Sequence, residues 1–167
     1  MKKISLIVLL TFLIFSCSKT TDKEYLDLSQ KLIKEKNATE AITNLNTLLK
    51  EYPESKLAPK ALVHLASIYQ NLMVKDISEE ESYNQAQKYF REVFDKYPNS
   101  EDAPNSLFMS SFILSNNLQK FDEATVSYKL FIEKFPDNPL AVSAKQELDN
   151  MGISPEDILK KNEVANN

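Results

Sequence analysis

The sequence predicts an all-α fold, a solenoid of three helical hairpins closed by a terminal helix. Three observations predict it. First, three segments align without gaps: EAITNLNTLLKEYP (40–53), QAQKYFREVFDKYP (85–98) and EATVSYKLFIEKFP (123–136). Each has Ala at its second position (Ala41, Ala86, Ala124), and apolar residues follow at helical spacing, as in Ala41, Leu45, Leu48, Leu49 and Tyr52. Second, each segment ends aromatic-Pro (Tyr52–Pro53, Tyr97–Pro98, Phe135–Pro136). Proline cannot continue a helix and biases its predecessor away from helical angles. Third, a helix-spaced face precedes each segment: Tyr25, Leu28, Ser29, Leu32; then Leu62, Leu65, Ala66, Tyr69; then Leu107, Ser110, Ser111, Leu114. Its small residue lets a neighbouring helix approach closely.

Helices are accordingly expected near 22–36, 38–52, 56–73, 79–97, 101–117, 121–135 and 138–150. Asn37 with Glu40, and Ser78 with Glu81, have capping-box spacing. Asn138–Pro139 and Ser154–Pro155 each place a cap residue before a proline suited to the first helical position. The last helix would cover the apolar end of the solenoid. Residues 152–167 are expected to form a short helix and then a disordered tail. The closing prolines stand 45 and then 38 residues apart, against 34 in a plain two-helix repeat. A longer connection, YPNSEDAP (97–104) and YPESKLAP (52–59), accounts for the 38. The remaining seven residues form an insert around VKDISEEESYN (74–84), expected to lengthen the helix after Ser78 by about 10 Å.

The amino terminus reads differently. After Met1, Lys2 and Lys3, residues 4–15 are apolar except for Ser5 and Thr11. Such a run is short for a membrane span and fits the core of an export signal. Without residues 1–16 the chain has 151 residues, with 18 basic against 24 acidic side chains. That balance argues against nucleic acid, which is gripped by clustered Lys and Arg.

Scarcity excludes much chemistry. A single glycine, Gly152, rules out phosphate-cradling loops, and a single histidine, His64, rules out two-histidine zinc motifs. His64 sits among apolar helix residues (LVHLA, 62–66). No polar constellation suggests an enzyme, a cofactor, a metal or a small-molecule substrate. The single cysteine, Cys17, cannot form an internal disulfide.

The stretch LIFSC (13–17) resembles the lipobox of bacterial lipoproteins, which implies that Cys17 becomes the acylated first residue on a short tether, 17–21. Cleavage after Ser18, with Cys17 discarded, is the alternative that the small residues Ser16 and Ser18 permit. The repeated pattern itself, aromatic-x₂-Leu-small-x₂-large followed by Ala-x₃-large and Pro, resembles the tetratricopeptide repeat over about residues 22–151. It implies a right-handed α-solenoid whose first helices line a concave groove for protein segments. Carried over by position, the groove residues are Lys23, Leu26, Gln30, Ile33 and Lys34; Lys60, Val63, Ser67, Gln70 and Asn71; and Asn105, Phe108, Phe112, Ser115 and Asn116.

The form YP-x-S-x₃-A-P before a helix is similar to envelope lipoproteins of the BamD type and, less closely, to the Tol-associated CpoB/YbgF type. This implies a periplasmic scaffold lipid-anchored to the outer membrane, with a part in β-barrel protein assembly. A Tol–Pal or cell-wall-division adaptor and an unanchored periplasmic binding module are the alternatives. Either way the partners expected are envelope proteins.

Overall fold

The computed structural model describes residues 19–154 and 156–157. The apolar run, Cys17 and most of the predicted final helix lie outside them. The helices are α1 (Asp22–Lys34), α2 (Ala38–Glu51), α3 (Ala58–Gln70), α4 (Glu79–Lys96), α5 (Ala103–Phe112), α6 (Phe121–Lys134) and α7 (Leu140–Asp149), with a π-helical turn, Ile113–Asn117, continuing α5. α1–α2, α3–α4 and α5–α6 are antiparallel hairpins. Each helix packs chiefly on its chain neighbours, and α1 also touches α3 as α5 touches α7. This nearest-neighbour packing is that of an α-solenoid.

The repeated sequence produces repeated geometry. Tyr52, Tyr97 and Phe135 close α2, α4 and α6 with φ of −133°, −130° and −132° and ψ of 56°, 55° and 55°. Each still donates its N–H to the carbonyl four residues back, while the following proline holds its ψ off the helical value. The first helices of the units end differently. Lys36, Leu72 and Gln119 follow them at φ of 60°, 53° and 53°, and Gly152 follows α7 at 73°. Asn37 N–H to Leu32 O (2.9 Å) and Met73 N–H to Ile68 O (3.1 Å) complete Schellman closures. Only the last closure uses glycine, so the first three accept a strained left-handed residue.

Ala41, Ala86 and Ala124 are fully buried, as the shared Ala position requires. Leu45, Leu48, Leu62 and Leu65 anchor the first core, and Tyr128 and Phe131 anchor the last. Tyr69 stacks on Tyr89 at 5.7 Å within the second unit, and Phe94 meets Phe135 edge-on at 5.9 Å between the second and third units. Asn37 Oδ1 accepts from Glu40 N–H and Ser78 Oγ from Glu81 N–H, as expected, while the fully reciprocal capping box forms at Thr21 and Glu24.

Four expectations are corrected. Leu28 is 44% exposed, although its counterpart Leu65 is fully buried, because among the described residues no helix packs on that side of α1. The insert gives α4 18 residues against 14 in α2 and α6, an extension of one turn or about 6 Å; its other residues widen the α3–α4 turn. The 52–57 and 97–102 connectors share one length, as their matching sequences imply, but they account for only part of the 38, because α5 and its π turn together span 15 residues where α1 takes 13. Lastly, α7 begins at Leu140 with Pro139 as its cap residue, and Asn138 Oδ1 accepts from Leu140 N–H (2.9 Å). On α7, exposed Lys145 and Asp149 stand where α3 has buried Leu62 and Ala66, so that side of α7 is polar.

Candidate partner-binding groove

The inner face is built by α1, α3 and α5, and its centre is where α1 meets α3. The Gln30 side-chain nitrogen lies 3.2 Å from His64 Nε2. With the ring neutral and protonated at Nδ1, the amide donates and Nε2 accepts. Burial lowers the His64 pKa below its ordinary value, nearby Lys60 lowers it further, and Asp102 at the start of α5 opposes both. His64 is thus the inner-face residue that the sequence reading left among the core. Its clue was the spacing: four residues after Lys60, it lies one turn along the same helix face.

The predicted groove residues divide by position. Lys23 is exposed and paired with Asp27 at 2.6 Å, and Lys34 and Lys60 are exposed. Gln30, Ile33, Val63, Ser67 and Gln70 are half-buried, with Ile33 and Val63 packed against the first core. Asn71 is exposed, but its amide donates to Ser67 O (2.8 Å), satisfying the end of α3. Asn105 is exposed, Phe112 half-buried, and half-buried Phe108 packs edge-on against Tyr128 and Phe131, each at 5.7 Å.

Two residues do not line a groove. Leu26 is only 4% exposed, because α3 closes over it, and belongs to the first core. Ser115 is buried because the wider π turn rotates it inward, where its Oγ lies 3.1 Å from Phe112 O and 3.5 Å from Tyr128 Oη. Asn116 stays exposed, with its amide against Ser115 Oγ (2.7 Å), Phe112 O (3.3 Å) and Glu147 (3.4 Å). Burial pushes the Tyr128 pKa up, with Glu147 reinforcing it and the Ser115 hydrogen bond opposing it.

Beside Lys60 the inner face opens into a cleft of about 680 Å³ between the two Tyr-Pro connectors. Lys60, Lys96, Glu101 and Asp102 line it, with Lys96 paired to Glu92, and the Tyr97 hydroxyl donates to Pro53 O at 2.8 Å. The two connectors differ at one serine. Ser55 Oγ bonds the Asp22 carboxylate and accepts from Leu57 N–H, whereas Ser100 Oγ is buried without a partner. The place of Asp22 is taken in the next unit by Pro59, whose side chain offers no acceptor.

This combination of ammonium groups, amides, one imidazole and half-buried Phe108 and Phe112 is suited to holding an extended protein segment by ionic, polar and apolar contacts. Among the described residues no group of His, Cys, Asp and Glu is placed to hold a metal ion. No curated protein matches the chain. The model of the outer membrane lipoprotein family YfiO matches residues 13–111, from four residues before Cys17 into α5. With 99 of its 167 residues matched, the chain belongs to the outer membrane lipoprotein family YfiO.

Proposed function

We propose that the protein is a non-enzymatic scaffold, acylated at Cys17 and held at the periplasmic face of the outer membrane, that assists β-barrel protein assembly through its inner face. Family membership carries the envelope setting. The observation that carries the scaffold role is the inner face itself, with Lys60 lining a cleft of about 680 Å³ and His64 one turn further along α3 against Gln30. The tetratricopeptide-like repetition, seen in three matching helix ends, supports the same reading. Anchoring needs more than one acyl chain, since each buried methylene contributes about 0.8 kcal/mol.

Two experiments test this. The mass of the mature protein from membranes should correspond to an acylated chain beginning at Cys17; an unmodified chain beginning at Lys19 contradicts anchoring. Crosslinking in cells should recover the β-barrel assembly machinery, and changing Lys23, Lys34 and Lys60 together to Glu should abolish that crosslink without altering helicity. An unchanged crosslink removes the groove from the account. Recovery of Tol–Pal components in its place would assign the scaffold to another machine.

A further inference from the structure

The turns that join the two helices of each unit lie along one edge of the solenoid, opposite the Tyr-Pro connectors. In the first unit this edge is polar: Glu35, Lys36 and Asn37. In the later units it becomes apolar. Leu72 (41%), Phe121 (40%) and Ile153 (37%) are three of the six exposed large apolar side chains among the described residues. Leu72 and Phe121 sit at the second and third of these turns, and Ile153 in the turn that follows α7. The turns are close in space, because Lys120 Nζ donates to Asn84 Oδ1 at 2.9 Å and Leu118 shares a cluster with Tyr83. Gly152 also lies beside Phe121, since a Cβ there would stand 4.0 Å from its ring.

Two shallow depressions accompany this row, one of about 330 Å³ beside Leu72 and Ile77 and one of about 320 Å³ beside Phe121. The rim is acidic. Glu79, Glu80 and Glu81 are exposed beside the first depression, and Asp122 and Glu123 beside the second. Two lysines stand among them, and one of these, Lys120, is already bonded to Asn84.

We propose that this edge is a second docking surface, taking a basic amphipathic segment of a protein partner whose apolar side chains seat on Leu72, Phe121 and Ile153. Charge selects the occupant. Anionic lipid is repelled by the carboxylate rim, and so is a second copy presenting the same edge. Lys or Arg flanking an apolar anchor satisfies both parts of the surface. The surface is separate from the inner face, so its failure leaves the groove reading intact.

The test uses the full chain and a labelled 14-residue amphipathic peptide of leucine and lysine, titrated by fluorescence anisotropy. The expected result is binding that weakens about tenfold or more in the double variant Leu72→Asn, Phe121→Ser, and comparably in the triple variant Glu79→Gln, Glu80→Gln, Glu81→Gln. Asn is chosen at position 72 because it tolerates positive φ. The triple variant changes only exposed side chains, so it preserves the test if the double variant is less stable. Lys60→Glu in the groove should leave binding unchanged. Equal binding by all forms overturns the proposal, as does equal binding of the peptide with glutamate in place of lysine, or loss of binding in Lys60→Glu alone.

Discussion

Two junctions of this solenoid share one architecture and differ in chemistry. Where α3 packs on α2, its buried face is Ala58, Ala61, Leu65 and Ile68, all fully excluded from solvent. Where α5 packs on α4, the same places hold Ala103, Ser106, Ser110 and Ile113, equally buried to within 1%. A leucine and an alanine have become serines. Ser110 Oγ accepts from the Gln87 amide at 3.1 Å, while Ser106 Oγ has no partner. Further hydroxyls follow: Ser111 Oγ lies 2.7 Å from Ser127 Oγ, just ahead of the π turn. Burying a leucine contributes roughly 1.5–3 kcal/mol, and an unpaired buried hydroxyl costs about 1–3 kcal/mol. The backbone repeat therefore survives on very different energetics. The second junction is the softer one, and it carries the Phe108 and Phe112 part of the inner face.

Importing the second chemistry into the first junction should have the largest effect. Leu65→Ser places the counterpart of Ser110 against α2, where the sequence supplies no Gln87. The expected loss is about 3 kcal/mol or more, from the cavity and the unpaired hydroxyl. Chemical denaturation measures it, and a loss below 1 kcal/mol would mean that the two junctions are energetically alike.

The reverse exchange is smaller. Ser106→Ala gives α5 the residue α3 has at Ala61 and removes an unpartnered hydroxyl, so stability should rise by about 1 kcal/mol. A drop would show that Ser106 has a partner.

A pH-dependent difference should be smaller still. The inner-face place of His64 in the first of these junctions is held by Met109 in the second. Burial lowers the folded-state pKa of His64, so the unfolded chain takes up a proton more readily. Its contribution is present above the ordinary histidine pKa of about 6.5 and is lost as pH falls through the lower folded value. Melting temperatures at pH 7.5 and 5.5 should fall further for the wild type than for His64→Gln; equal falls would contradict this.

Much of this was legible in the sequence, for identifiable reasons. The aromatic-Pro pairs set the ends of α2, α4 and α6, because proline acts through local sterics that packing does not override. The Ala-led faces gave the core, because helical spacing reports burial directly. Leu26 and Leu28 were exchanged in role, because which side of α1 is covered depends on the neighbouring units and not on α1 itself. The π turn was hidden because the widening of one helical turn leaves no composition signal, and Ser115 was misplaced in consequence. Lys36, Leu72 and Gln119 gave no warning of positive φ, since none is glycine or asparagine. His64 was read with its apolar neighbours, although its place one turn after Lys60 puts it on the inner face.

Native-state hydrogen exchange on the full chain, read residue by residue, tests the difference between the junctions most directly. The account predicts that amides of residues 107–118 exchange through local openings, at lower free energy than those of residues 62–70 in α3. Equal or greater protection along 107–118 would contradict it, showing that the serine-rich junction and its π turn are as firmly held as the apolar one.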